Sequence, residues 1–374
     1  MADIFDYITW RGDLEFTKSP LNPVDSIIFS QLSYLPFDDI VPGSDEKDGI
    51  SIKNAAKILG DRLRIAQQLS VKSASTPVAM FKKDPVLLET LASSNRFGNC
   101  RLFGYINHID IDLEVQISAI CISTGDGSTF IVFRGTDFSF VGWKEDFNMS
   151  FCETIPAQHK AVEYLEKMAP LIKGPLRLGG HSKGGNLAIF AASFCGKRIQ
   201  KRITEIYSND APGFHGNIIN SMGFNAIRGR IHSYIPQASV VGMFLESGCK
   251  SKVVKSTKIG LLQHELYSWE VTHNDMVYVD DVTLGSRFFD KTVRGWLAGL
   301  DNKQREQYLK ALYGVLVASE AKSVPELESS WLKATGRMLK SLGTMDKPTR
   351  TMLHNTLKEL RRSVRKNLIE LVKR

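Results

Sequence analysis

Between residues 101 and 256, segments with the residue pattern of β-strands alternate with segments that have the pattern of α-helices. The first three β-rich runs are broken at 110–112 and 125–127, which predicts two successive hairpins. Strands and helices then follow one another at the spacing of βαβ units, which favours a mostly parallel sheet with an antiparallel edge. The predicted strands are 101–109, 114–124, 128–134, 176–181, 203–209 and about 230–235, and the predicted helices are about 157–172 and 184–194.

The length of 374 residues leaves room for two or three domains. We expect one α/β domain over residues 1–285, in which residues 1–100 form an irregular and helical lead-in. Residues 286–374 are expected to form a basic, helical C-terminal region. From residue 291 to the end there are 18 Lys and Arg against 8 Asp and Glu, whereas the whole chain has a net charge of +8. The basic character therefore belongs to the C-terminal region.

Three interpretations of this basic region stay open. It can be the solvated face of helices packed against the α/β domain, which is the usual role of such charge. A basic amphipathic helix can also make weak contact with an anionic membrane surface. Nucleic-acid binding is disfavoured, because no recognition motif and no interleaved aromatic residues accompany the charge. We expect no nucleic-acid partner, and the sequence does not indicate the oligomeric state.

Composition and simple motifs narrow the compartment and the cofactors. The N-terminus carries acidic residues where a signal peptide carries basic ones, and no run approaches the ~18 apolar residues of a membrane span. The five cysteines are scattered and never form a CxxC pair, which argues against disulfides and against a zinc site. No glycine-rich nucleotide motif is present. The expectation is a cytoplasmic protein with reduced thiols and without metal or organic cofactor.

The motif that points to chemistry is Gly-His-Ser-Lys-Gly at residues 180–184. It lies where a predicted strand turns directly into a predicted helix, and a serine on such a turn projects its hydroxyl towards a substrate. The flanking glycines fit this arrangement, because strand and helix pass too closely for side chains. The helix N-terminus directs backbone N–H groups at developing negative charge. The alternative is a glycine-rich turn that contains Ser182 by chance.

A second element stands upstream, at the end of the strand 128–134. There the chain continues as Arg134-Gly135-Thr136, an exposed backbone that precedes the serine motif. This is the place where the other half of an oxyanion hole is expected.

Several motifs together resemble known families. The segments at 133–136, Trp143-x-x-Asp146 and 180–185 are similar to the fungal-type class 3 lipases of the α/β-hydrolase superfamily. Further segments resemble the bacterial Mbeg1-like family of α/β-hydrolases: Phe5 to Leu14, Asn209 to Phe214, Ser239 to Met243, and Gln263-His264-x-x-x-Ser268-Trp269. The resemblance runs from residue 5 to about 290. It implies an α/β-hydrolase fold, followed by the helical extension.

The resemblance also implies roles for single residues. Ser182 matches the nucleophile, and His264 is the best match for the general base. Thr136 matches the residue whose backbone N–H, often with its hydroxyl, holds the oxyanion, and Lys183 supplies the second N–H. Arg134 and Asp146 match a buried ion pair that braces the loop. The order nucleophile, acid, histidine along the chain is the order that this fold uses.

The acid of the triad departs from the lipase pattern. In class 3 lipases it follows the strand after the one that ends near Asp210, but residues 235–239 hold no carboxylate here. The candidates are Asp210 at the end of its own strand and Glu246 in a predicted helix, and a site without an acid is the third alternative. We favour Asp210, although an Asp there can also simply form the turn. His273 is an alternative base, because an acid lies near it. His181 is expected to be a packing residue.

The favoured function is a serine hydrolase that cleaves carboxylic esters of lipid-like or acylated small-molecule substrates. It would use Ser182, His264 and Asp210 and pass through an acyl-enzyme. The alternative is a catalytically degraded hydrolase fold that acts as a binding or scaffold module. The missing carboxylate at the lipase position keeps this alternative open.

Overall fold

The computed structural model of the protein describes residues 1–44, 48–68, 81–110, 115–136, 145–146, 148–149 and 152–298, together with residues 304, 307, 350, 351, 354, 355 and 358. The basic region was predicted for residues 286–374; beyond residue 298, all of it except these single positions lies outside the described residues. No helix within the described ranges is long and apolar enough to cross a bilayer.

Strands and helices alternate in the centre of the chain, as predicted. The described strands are β1 (Ile50–Ser51), β2 (Arg101–Asp110), β3 (Val115–Ser123), β4 (Thr129–Phe133), β5 (Leu176–His181), β6 (Ile203–Asn209), β7 (Ile231–Pro236), β8 (Ser251–Val254) and β9 (Tyr278–Val279). The described α-helices are α1 (Ile4–Arg11), α2 (Pro23–Leu32), α3 (Ile52–Gln68), α4 (Asp84–Ser93), α5 (Asn95–Gly98), α6 (Pro156–Met168), α7 (Lys183–Phe194), α8 (Lys197–Gln200), α9 (Gly216–Ile219), α10 (Met222–Ile227) and α11 (Leu284–Ala298). Short 3₁₀ helices include Gly260–His264 and Leu266–Ser268.

The chain divides into two compact units. The first consists of Met1–Ile109, Gln116–Gly135 and Pro156–Val282, and it carries the body of the sheet. The second consists of Asp110–Val115, Thr136–Ile155 and Thr283–Arg374, and it contains α11.

The described strands form one sheet in which spatial order equals chain order, β1 to β9. β4 to β8 are parallel, whereas the pairs β1–β2, β3–β4 and β8–β9 are antiparallel. The predicted α/β fold with a mostly parallel sheet is confirmed. Register places Phe133 beside Gly180 and His181 beside Asn209. The carboxyl ends of β4, β5 and β6 therefore meet at one edge of the sheet.

Both faces of the central strands are buried, and different helices cover them. Every residue of β4 is buried, as is usual for a parallel strand inside a sheet. Phe130 contacts Phe29 of α2 with ring centroids 5.4 Å apart, and Phe133 contacts Tyr164 of α6 at 5.8 Å. Since side chains alternate along a strand, residues 130 and 133 point to opposite faces. The lead-in 1–100 thus forms a helical layer of its own.

A buried ion pair ties this N-terminal layer together. The guanidinium of Arg96 donates to both carboxylate oxygens of Asp25, at 2.9 and 2.6 Å, and neither side chain is exposed. The same guanidinium donates to the carbonyls of Leu14, Ser19 and Pro20 at 2.9–3.2 Å. One side chain thereby fixes the chain between α1 and α2 on helix α5.

Arg96→Met is expected to lower the free energy of unfolding by about 3–5 kcal/mol, because it leaves the buried Asp25 carboxylate without its cation. Arg64→Met is the matched control, since the Arg64–Asp61 pair is exposed; its effect should stay below about 1 kcal/mol. Urea denaturation of both variants measures the difference. Equal, small losses would show that the buried pair does not hold this layer.

Candidate active site

Ser182 occupies a strained turn between a strand and a helix. β5 ends at His181 and α7 begins at Lys183, so that Ser182 alone makes the turn. Its backbone has φ 56° and ψ −132°, a conformation that L-residues rarely adopt and that concentrates at functional sites. The Ser182 N–H donates to the carbonyl of Asn209 on the neighbouring strand at 3.0 Å, which holds the turn in place.

Close backbone contacts explain the glycines of the motif. A Cβ on Gly180 would lie 2.4 Å from the carbonyl carbon of Gly184, and a Cβ on Gly184 would lie 2.0 Å from the carbonyl oxygen of Phe133. No side chain fits at either position. The end of β4 is equally close, since a Cβ on Gly135 would lie 3.2 Å from Cβ of Ser182. The strand and the helix pass closely at Gly180 and Gly184, as the sequence indicated, and the turn also packs against the end of β4.

His264 and Asp210 form a hydrogen-bonded pair. Nδ1 of His264 lies 2.7 Å from Oδ2 of Asp210. The other carboxylate oxygen accepts from the hydroxyl of Ser239 at 2.5 Å and from the backbone N–H of Gly242 at 3.0 Å. The Asp210 side chain is 1% exposed and the His264 side chain is 30% exposed. Of the carboxylates that the sequence left open, Asp210 is the one beside the imidazole.

Glu246 and His273 lie elsewhere. Glu246 is exposed, and its backbone pairs with Phe214 in an isolated β-bridge, so the helix predicted there is wrong. The preceding Leu245 has φ 65°, which is incompatible with a right-handed helix. His273 is exposed and stacks on Trp10, with ring centroids 4.5 Å apart. The structure brings neither residue to the Asp210–His264 pair.

His181, which the sequence suggested as a packing residue, makes a hydrogen bond through each of its ring nitrogens. Its Nε2 lies 2.8 Å from the carbonyl oxygen of His264, and its Nδ1 lies 3.0 Å from the hydroxyl of Tyr34. Burial, and to a lesser degree the neighbouring His264, hold the pKa of His181 well below its usual value. A carbonyl can only accept, so the neutral ring carries its proton on Nε2 and accepts from Tyr34 at Nδ1.

The segment before His264 is held by buried polar contacts that sequence reasoning missed. Oε1 of Gln263 accepts from the N–H of Ala238 at 2.7 Å, and its amide nitrogen donates to the carbonyl of Lys258 at 2.6 Å. The indole N–H of Trp269 donates to the carbonyl of Gln263 at 2.8 Å. Gln263 and Trp269 belong to a motif that carried the family resemblance, and this was the available signal.

The two residues predicted for an oxyanion hole, Thr136 and Lys183, each make side-chain hydrogen bonds of their own. Thr136 belongs to the second unit, where its hydroxyl donates to Oδ2 of Asp146 at 2.6 Å. Lys183 is the first residue of α7, a position whose N–H finds no acceptor inside a helix. Its side chain is buried, and Nζ donates to the carbonyl and the side-chain oxygen of Gln116 at 3.0 and 2.8 Å. The ammonium group of Lys183 therefore makes structural hydrogen bonds to Gln116.

The contact to Asp210 uses one of the two ring nitrogens of His264. Nδ1 of His264 is engaged by Asp210, which leaves Nε2 for a proton transfer. No hydrogen bond joins Ser182 Oγ to this ring among the described residues, and such contacts are often long before a substrate binds. Nor do the described residues contain a group of three or more side chains that could hold a metal ion.

A comparison with protein families identifies the family of the chain. The model of the Mbeg1-like family matches residues 91–314, more than half of the chain. The protein therefore belongs to the Mbeg1-like family. No curated protein sequence matches it.

Three solved lipase structures are similar at low identity. The Rhizomucor miehei lipase–propeptide complex is 14% identical with a TM-score of 0.31, over 42% of this chain and 57% of the lipase chain. A fungal lipase–inhibitor complex is 11% identical with a TM-score of 0.37, over 68% and 80%. The M37 lipase is 14% identical with a TM-score of 0.34, over 60% and 70%. The chain thus spans little more than half the length of the Rhizomucor lipase, and these structures add no argument about activity.

The neutral state of His181 predicts a pH dependence of stability. Below pH 6.5 the unfolded chain binds a proton at His181 that the folded chain does not, because burial lowers the pKa in the folded state. Stability is therefore expected to fall as the pH drops below this value, by up to about 1.4 kcal/mol per pH unit. His181→Gln should remove this contribution. Urea midpoints at pH 7.5 and 5.5 measure it, and equal losses for both proteins would contradict a neutral His181.

Proposed function

We propose that the protein is a serine hydrolase that cleaves carboxylic esters. One observation carries the proposal: a strained serine at a strand–helix turn has, at the end of the adjacent strand, a buried carboxylate bonded to a half-buried imidazole. Nucleophile, base and orienting acid are the three parts that acyl transfer by serine requires.

In the proposed reaction, Nε2 of His264 takes the proton of Ser182 Oγ as the oxygen attacks the ester carbonyl. Asp210 accepts from Nδ1–H and so fixes the tautomer that leaves Nε2 basic. It also stabilises the imidazolium that forms. The proton then passes to the leaving alcohol, and water releases the acyl group by the same steps in reverse. Approach of a substrate is expected to bring Ser182 and His264 into hydrogen-bonding distance.

Two donors hold the proposed acid in place. Ser239 and Gly242 both donate to Oδ1 of Asp210, so Oδ2 stays directed at the imidazole. Ser239 lies in the segment 235–239, where the resemblance to class 3 lipases would place the acid. A neighbouring strand end thus supplies the carboxylate, and the lipase position supplies a donor to it.

The backbone N–H of Lys183, the first residue of α7, would stabilise the oxyanion in this reaction. For Thr136, the second donor predicted from the sequence, the structure shows the hydroxyl bonded to Oδ2 of Asp146. Fixed donors aimed at developing charge are a large part of catalysis by such sites.

Lipid-like or acylated small molecules are the proposed substrates. Ile259 is 81% exposed and Leu262 is 60% exposed, and both lie within five residues of His264. The segment 240–245, which follows Ser239, adds five half-buried apolar residues. Exposed apolar side chains grouped beside a polar site favour an acyl or alkyl chain as ligand.

The scaffold alternative rested on the missing carboxylate. Because Asp210 lies beside His264, the missing carboxylate no longer favours the scaffold function. A covalent probe discriminates between a hydrolase and a scaffold. A fluorophosphonate should label Ser182 in a hydrolase and leave it unlabelled in a degraded one.

Ser182→Ala is expected to lower ester turnover by ~10⁴-fold or more, because the nucleophile is removed, and to abolish fluorophosphonate labelling. A series of p-nitrophenyl esters of increasing acyl length measures turnover. Ser247→Ala is the control, since the hydroxyl of Ser247 only donates to the nearby carbonyl of Cys249. Unchanged turnover in Ser182→Ala would refute the enzyme assignment.

Asp210→Asn is expected to reduce kcat by ~10³–10⁴-fold with little change in KM, because the amide favours the wrong tautomer and brings no negative charge. Glu246→Gln is the matched control, as an exposed carboxylate away from His264, and should cost less than about 10-fold. The opposite ranking of the two variants would reject Asp210 as the acid.

A further inference from the structure

A chain of hydrogen bonds reaches the candidate active site from the N-terminal layer. The hydroxyl of Tyr34, just after α2, bonds to Nδ1 of His181 at 3.0 Å, and Nε2 of His181 bonds to the carbonyl of His264 at 2.8 Å. Tyr34 and His181 are both buried. The residue directly before Ser182 is therefore bonded to the backbone of the base.

His181 cannot itself be the base in this arrangement. Its Nε2 donates to a carbonyl and its Nδ1 accepts from a hydroxyl, so neither nitrogen is left to take a proton from Ser182. The rings of His181 and His264 lie 4.3 Å apart between centroids. A second charged imidazole at that distance would oppose the imidazolium that His264 forms in the reaction.

The hydroxyl of Tyr34 also lies against the end of β4. A Cβ on Gly135 would be only 2.2 Å from this oxygen. One phenol thus contacts the strand end that precedes Thr136 and, through His181, the backbone of His264. Asp210 fixes the His264 ring at Nδ1, whereas His181 fixes its main chain.

We propose that Tyr34 and His181 are positioning residues that set the distance between the His264 imidazole and Ser182. The inference rests on the proposed function, because it assigns a role within that reaction. The physical reason is that proton transfer depends steeply on geometry, and a displacement of about 1 Å can cost 10²-fold in rate. The His181 contact ties the base to the residue adjacent to the nucleophile.

Two substitutions at His181 separate this role from packing. In His181→Gln the amide nitrogen takes the place of Nε2 and keeps the donor to the His264 carbonyl. In His181→Asn the shorter amide takes the place of Nδ1, so it reaches Tyr34 but loses His264. We expect kcat to fall about 10- to 100-fold in His181→Asn with KM little changed. In His181→Gln, which loses only the bond to Tyr34, kcat is expected to stay within about 5-fold of wild type.

Tyr34→Phe removes a single oxygen and tests the same chain if His181→Asn does not fold. The expected loss is about 5-fold in kcat, equivalent to one neutral hydrogen bond. Proton NMR supplies a second readout, because the strongly downfield proton between Asp210 and His264 should broaden or move in His181→Asn and persist in His181→Gln. A purely structural role would lower the unfolding temperature of both variants without separating their kcat values.

The outcomes distinguish the two proposals. If wild type neither hydrolyses esters nor reacts with a fluorophosphonate, the proposed function fails, and the positioning role fails with it. If wild type reacts and a folded His181→Asn reacts at the same rate, the positioning role alone is overturned. Equal losses in His181→Asn and His181→Gln would overturn it as well, since only the Gln variant keeps the contact to His264.

Discussion

The parallel strands β4 to β8 lie side by side in the same order as they follow one another along the chain. This order determines which face of the sheet the connecting helices cover and which face needs another layer. Right-handed crossovers between sequential strands place all their helices on one face. α6 and α7 lie on that face, and the opposite face would remain apolar and exposed without a second layer. α2 packs there on β4, β5 and β6. The strand order therefore requires a second helical layer, which α1 to α5 supply, and the buried Arg96–Asp25 pair stabilises it.

This N-terminal layer also holds the chain segment that carries the proposed base. The hydroxyl of Tyr267 donates to the buried carboxylate of Asp84 in α4 at 2.6 Å, and the N–H of Val271 donates to the carbonyl of Ala2 at 3.1 Å. Burial raises the pKa of Asp84, and the hydrogen bonds that it accepts counteract this shift. Together with the contact of Tyr34 to His181, these bonds connect the segment around His264 to the N-terminal helices.

Local patterns predicted β5, β6 and the turn at Ser182, because strand residues, flanking glycines and a following helix are all encoded within a few positions. The sequence also limited the candidates for the proposed triad acid to a short set that contained Asp210. The helix at Glu246 was wrong, since the φ of 65° at Leu245 is imposed by pairing with a distant segment. The contacts of Gln263 with Ala238 and of His181 with Tyr34 were not predicted, because each joins residues more than twenty positions apart along the chain.

The position of Asp210, the proposed acid, determines which segments of the chain can vary. Asp210 ends the strand that pairs directly with the strand of the nucleophile, so strand pairing alone brings their backbones together. The connection from β7 to β8 contributes two hydrogen-bond donors to Asp210, the hydroxyl of Ser239 and the N–H of Gly242. Both donors are uncharged. Its length and its apolar residues are free to diverge, provided that one hydroxyl and one N–H still reach the carboxylate. In the proposed hydrolase, substrate preference could therefore change in this connection while the Asp210–His264 pair stays the same.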